Sequence, residues 1–195
     1  FIGLLEFSLL KKLALMIKPF DFYFDFISPY SFLAHKEIRK IEHKADIKIR
    51  YKPILLGGLH NLHGIKAPAF IPAKAKHMIK DCKLIAERNN VKFKFNSYFP
   101  IKSLNLMRGV LVAEEDNIKN YYIDNIFNTV WQDGLNMNDE VIIQKVIKIL
   151  NINPKTFLLR STSSLIKDSL RKKTNEAYEK GVFGAPTFVS NNKIF

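Results

Sequence analysis

Hydrophobic and polar residues alternate strictly from Phe20 to Phe26. Phe20, Phe22, Phe24 and Phe26 share one face, and Asp21, Tyr23 and Asp25 share the other. A period of two predicts a β-strand. The period changes at Ser28-Pro29. Tyr30, Ala34, Ile38, Ile41 and Ala45 then recur at helical spacing. Ser28 stands where a helix cap belongs. Pro29 takes the first helical position, where its missing N–H costs nothing. Alternation returns at Ile47-Lys48-Ile49-Arg50-Tyr51. Strand, helix and strand in this order predict a parallel pair with a right-handed crossover.

Beyond this unit the pattern is different. His60 to Pro72 carries Gly64, Pro68 and Pro72 and reads as a loop. From Ala73 to about Gly181 the periodicity is helical throughout. Ala75, Met78, Ile79, Cys82 and Ile85 form one stripe. Leu104, Met107, Val110 and Leu111 form a second, and Ile123, Ile126, Phe127 and Val130 a third. Val141 to Leu150 predicts a fourth helix, and Asn153-Pro154 caps a short fifth. A long one runs from about Thr162 to Lys180 and stops at Gly181, the glycine common after a helix end. Thr187-Phe188-Val189 then reads as a strand, Ser190-Asn191-Asn192 as a turn, and Lys193-Ile194-Phe195 as the start of another strand. Strands at both ends of a helical block predict one sheet interrupted by a helical subdomain. This divides the chain into an extension (1–17), a β-α-β half (18–58), a helical insertion (59–181) and a return to the sheet (182–195).

Composition narrows the function classes. The chain has 195 residues, 47% of them hydrophobic, enough for a substantial core. Its single cysteine excludes an intramolecular disulfide and a cysteine metal cluster, and it fits a reducing, cytoplasmic setting. The formal charge is +13, but the lysines are spread along the chain. They read as a solvated surface, not as a face specific for nucleic acid. The apolar start FIGLLEFSLLKKLALMI has Glu6 near its front and Lys11-Lys12 in its middle. It fits neither a secretory signal nor a membrane span. Met16 is a plausible true start, and the chain reads as a fragment, cut at the C-terminus within a strand.

Two stretches carry candidate chemistry. Ser28-Pro29-Tyr30-Ser31 sits between strand and helix, where redox proteins place two cysteines. Gly181-Val182-Phe183-Gly184-Ala185-Pro186-Thr187 leads into a strand, and its Ala185-Pro186 bond is a candidate cis peptide. The backbone N–H and C=O of Ala185 would then be free to pair with an extended peptide. Capping alone accounts for Ser28, and Pro186 could be an ordinary loop proline. Lys74 starts a helix and is equally well a solvated residue. Cys82 lies on an apolar stripe and reads as buried and inert. His60 and His63 make a weak metal case, and Trp131 and the phenylalanines read as core.

Together the two stretches resemble the thioredoxin-like DsbA superfamily. More narrowly, Asp25-Phe26-Ile27-Ser28-Pro29-Tyr30-Ser31-Phe32-Leu33 is similar to the kappa-class glutathione transferases and the 2-hydroxychromene-2-carboxylate isomerases. Pro53 to Gly58, Ile71 to Lys74, Tyr98 to Ile101 and Met107 to Gly109 add to the likeness, which spans about Lys18 to Phe195. The resemblance implies an α/β, thioredoxin-like fold with an all-helical insertion. It implies glutathione as cofactor, Ser28 as the catalytic residue, and a cofactor site of Ser28, Pro29, Tyr30, Lys74, Ala185 and Pro186, with no metal. The helix N-terminus and the Ser28 hydroxyl would stabilise the glutathione thiolate. The implied partner is a small aromatic-derived acid, and a homodimer is left open. A kappa-type transferase or peroxidase and a redox-inactive peptide-binding module are the alternatives. The chain departs from the pattern at Ile65 within Gly64-Ile65-Lys66-Ala67-Pro68 and at Lys102, where members carry asparagine. The Trp-Gly-x-Asp-Arg segment of the family would lie beyond Phe195.

Overall fold

The computed structural model describes residues 20–45 and 49–195. The extension at 1–17, Met16 and the Ile47-Lys48 part of the expected second strand lie outside them. The first strand, β1 (Asp21–Phe24), is central in a four-stranded sheet. It pairs in parallel with β2 (Arg50–Pro53) and antiparallel with β3 (Thr187–Ser190), which pairs with β4 (Lys193–Ile194). Both ends of the chain thus supply one sheet. Asn191 and Asn192 both adopt positive φ in the β3–β4 turn, the geometry that matches hairpin twist.

The alternation in β1 does not separate a dry face from a wet one. Phe22, Phe24 and Phe26 enter the main core, while Tyr23 enters a second cluster with Ile54, Leu59, Ala177 and Val182. Helices cover both faces, so even Asp21 and Asp25 are buried. Asp21 is compensated by Arg50, whose Nε donates to it at 2.6 Å.

Helix α1 (Pro29–Ala45) follows Ser28. Its inner face is Ser31, Phe32, His35 and Ile38, and Ile41 from the predicted stripe is 46% exposed. His35 is fixed between Tyr51 OH and Asp124, each at 2.8 Å. The expected loop at His60 to Pro72 is partly helical. Helix α2 (Leu56–His63) runs into it and ends at Gly64, φ 65°. Gly57-Gly58 hid this helix, because glycine is a poor helix former. A single 3₁₀ turn (Pro68–Phe70) leads to α3 (Pro72–Arg88).

The helical block then contains α4 (Leu104–Glu115), α5 (Lys119–Asn128), α6 (Glu140–Ile149), α7 (Pro154–Ser161) and α8 (Ser164–Glu179). Asp139, Asn153 and Ser163 cap the last three through their side chains. A π-helical segment (Thr129–Asp133) prolongs α5 and buries Trp131, whose Nε1 donates to Phe26 O at 2.7 Å. Residues 89–103 are not helical. They are held by Asn96, whose amide donates to Val130 O and Leu135 O, and they include a cis Phe99-Pro100 bond. No helix among the described residues is long and apolar enough to cross a membrane.

Gly109 marks the tightest approach in the helical block. A Cβ there would meet the Tyr122 ring, 2.7 Å from Cζ, and Phe157 at 3.1 Å. Tyr122 cannot give way freely, because its hydroxyl donates to Leu106 O from a buried position. Gly109→Ala should therefore destabilise the fold by about 1–3 kcal/mol, the usual cost of overpacking. Urea unfolding of the two proteins measures it, and an unchanged midpoint would mean that α4 and α5 separate easily.

Candidate active site

The site starts where β1 stops. Asp25 is fully buried, and its carboxylate accepts N–H groups from Ile27 at 3.1 Å and Leu56 at 2.8 Å. Its own C=O accepts from Ser28 N at 3.0 Å. One residue thus fixes the turn to Ser28 and the first turn of α2. Burial pushes the Asp25 pKa above the usual carboxylate value, against the pull of its donors.

The Ser28 side chain makes two hydrogen bonds. Its Oγ accepts from Ser31 N at 3.1 Å, as a helix cap does, and donates to Ala185 O at 2.8 Å. The second bond spans 157 positions and joins the two stretches singled out in the sequence. The Ala185-Pro186 bond is cis. The expectation that both backbone groups of Ala185 stand free needs correction. Its C=O is taken by Ser28, and only its N–H has no partner among the described residues. Ser31 is fully buried, and its Oγ has no partner among the described residues.

Ser28, Pro29, Tyr30, Lys74 and Ala185 line one cleft of about 840 Å³. Pro186 does not line it but directs the chain from Ala185 into β3. Tyr30 OH donates to Asp81 Oδ2 at 2.8 Å, and burial together with this carboxylate raises the phenol pKa. Lys74 lies in the first turn of α3, exposed at the rim. The remaining wall is chiefly apolar, with Ile27, Ile65, Phe70, Met78, Phe99 and Phe183 contributing.

Sequence reasoning missed two polar members of this wall, His60 on α2 and His77 on α3. His77 was within reach, since it follows Lys74 by three residues and shares its helix face. His60 was weighed only with His63 as a metal pair. His63 instead bonds Val182 O at 2.9 Å and packs on Tyr178. Burial and the neighbouring His63 both lower the His60 pKa. Cys82 is fully buried and its thiol is pushed up to about 12, so it is no nucleophile.

This geometry defines a class. A helix N-terminus faces a cis-proline loop across a central strand, and the model of the DSBA-like thioredoxin domain family matches residues 20–195. The chain belongs to that family. Within it, the chain is 26% identical to a 2-hydroxychromene-2-carboxylate isomerase of Sphingobium xenophagum over 182 residues, 92% of each chain. It is 23% identical to glutathione S-transferase kappa 1 of Rattus norvegicus, over 88% of this chain and 80% of that one. A solved structure of 2-hydroxychromene-2-carboxylate isomerase superposes with a TM-score of 0.82 at 24% identity, covering 90% of this chain and 87% of the other. The fold is the α/β, thioredoxin-like one that the motifs implied.

Asp25 offers a pH test of the frame. A carboxyl whose folded pKa exceeds its unfolded one stabilises the protein at low pH, and that contribution fades as pH rises through the folded value. Asp25→Asn stays neutral throughout. Its melting temperature should therefore gain on that of the wild type as pH rises from about 4 to 8. Thermal melts across this range read the difference, and a constant gap would mean that Asp25 ionises like an exposed carboxyl.

Proposed function

We propose that this protein is a glutathione-dependent isomerase of the 2-hydroxychromene-2-carboxylate isomerase type, acting on an unsaturated, aromatic-derived acid. The observation that supports it most is the Ser28–Ala185 hydrogen bond, because it puts a hydroxyl donor, a helix N-terminus and a backbone N–H at one end of a large apolar cleft. These residues fit glutathione. The Ala185 N–H can pair with an extended peptide, Pro29 and Tyr30 form the adjoining wall, and Lys74 supplies a cation for a carboxylate.

When bound, glutathione supplies a thiol nucleophile for reversible conjugate addition, which frees the double bond of the acid to rotate from cis to trans. The protein's task is electrostatic. The N-terminal end of α1, where the Tyr30 N–H has no partner among the described residues, favours negative charge beside it. Ser28 has one proton, and Ala185 O holds it at rest. An anionic sulfur competes for that proton better than a neutral carbonyl does, because charge-assisted hydrogen bonds are about twice as strong. Turning the hydroxyl hydrogen bond toward the anion, with the proton staying on Ser28 Oγ, would leave Ala185 O open to accept an N–H of the peptide. The apolar wall keeps water from the unsaturated system, and Lys74 at the rim suits an acid.

A kappa-type transferase or peroxidase is the second reading, favoured by the relative in Rattus norvegicus. It uses the same residues and differs in whether product retains the sulfur. A reducing cytoplasmic location goes with the single buried cysteine, and a homodimer is compatible with it.

Titration calorimetry with glutathione tests the binding half, and no heat at millimolar concentration would leave a redox-inert module. For the chemistry, Ser28→Ala should keep glutathione binding within a few-fold but raise the bound thiol pKa by about one to two units. Turnover at neutral pH should fall about ten- to a hundredfold. Ultraviolet absorbance of the thiolate against pH reads the shift. Coincident curves with unchanged turnover would reduce Ser28 to a helix cap.

A further inference from the structure

Helix α2 has two sides. Leu56, Gly57 and His60 face the cleft described above, while Leu55 at its start, Gly58 and Leu62 face a separate cavity of about 530 Å³. The other walls of this second cavity are α4 and α8. Its apolar lining is Leu55, Leu62, Leu104 and Leu170, and its cations are Arg108, Lys167 and Arg171. Asp168 is the one acid in the lining, and it pairs with Arg171.

Arg108 is the informative residue. Its Nε is buried and has no hydrogen-bond partner among the described residues. Its Nη1 donates at 3.3 Å to Asn105, a neutral amide one turn back. No carboxylate among the described residues pairs with it, whereas Arg171 in the same cavity is paired with Asp168. A guanidinium does not discharge itself by losing a proton. With its Nε shielded and no carboxylate beside it, the positive charge of Arg108 is offered to the cavity through its exposed Nη end, where an oxyanion would offset it. Burial also lowers the Arg108 pKa, in keeping with a charge short of counter-charge.

We propose that this cavity is a binding site for a small organic oxyanion, a carboxylate or phosphate monoester on an apolar body, with Arg108 as its anchor. The two Nη groups of the guanidinium match two oxygens of one head group. The leucines receive the body, and Lys167 adds attraction from the rim. The site is separate from the glutathione reading and holds or fails without it.

The test is ¹⁵N NMR of the full chain in the arginine Nε–H region, with benzoate, phenyl phosphate and inorganic phosphate titrated in parallel. The Arg108 signal is the one missing from Arg108→Lys. It should move and saturate with benzoate or phenyl phosphate, and the tighter of these two identifies the head group. Inorganic phosphate should bind at least about tenfold more weakly, because it leaves the leucines bare. Arg108→Lys should weaken binding about tenfold or more, since an ammonium cannot fork. Lys167→Ala, on the exposed face of α8 and harmless to folding, should weaken it about two- to fivefold. Ser28→Ala should leave it unchanged. The proposal is overturned if the Arg108 signal does not saturate, if all arginine signals drift together with ionic strength, or if inorganic phosphate binds as well as the two aromatic anions.

Discussion

The carboxylate of Asp25 has no exposed surface, yet it terminates the central strand and takes its donors from two places in the chain. Burying it without those donors would cost several kcal/mol. The Ile27 turn and the start of α2 are therefore bound to one point. Everything at the candidate site is measured from that point. Ser28 hangs from the Asp25 C=O, and α2 begins on its side chain. A displacement of Asp25 would move the helix N-terminus and one cleft wall together.

From this frame follows the economy of the serine pair. The N-terminal end of α1 is the electropositive feature, and it exists whatever stands at position 28. With serine there, the chain keeps the field and a hydroxyl donor but gives up its own sulfur chemistry. Ser28 is the half of the pair that reaches outward, to Ala185. Ser31 is turned fully inward, so the two positions are not equivalent. Cys82, the one sulfur nucleophile by composition, is buried and held as a thiol.

Helix α2 gives the site an unusual position. It separates a nearly uncharged apolar cleft from a second cavity with a cationic rim. The Leu55 N–H at its start donates to Thr174 Oγ1 on α8 at 3.0 Å. Asp25 from one side and Thr174 from the other thus hold the same turn, although Leu55 itself offers no capping side chain. A helix with two glycines needs that external support, because its own propensity is low.

The sequence by itself determined the strands, the caps and the pairing of motifs. Strict alternation from Phe20 to Phe26, Asn153 and Gly181 at helix ends, and Asn191-Asn192 in a hairpin act over a few residues, so their physics is local. The likeness of Ser28-Pro29-Tyr30-Ser31 and Gly184-Ala185-Pro186-Thr187 to one family gave the fold class and pointed to the two stretches that meet through the Ser28–Ala185 hydrogen bond. What only the tertiary structure decided depends on partners far along the chain. Burial of both faces of β1 comes from helices that β1 does not encode, so Asp21 and Asp25 turned inward against their polarity. Helix α2 exists because Asp25 and Thr174 hold its first turn. The Ser28 hydroxyl donates to Ala185 O because the sheet brings residues 157 positions apart into contact. His77, Phe99 and Phe183 enter the cleft from three separate segments, and the buried edge of Arg108 arises where α2, α4 and α8 meet. Local pattern specifies which element forms, whereas burial and hydrogen-bond partners are properties of the packed whole.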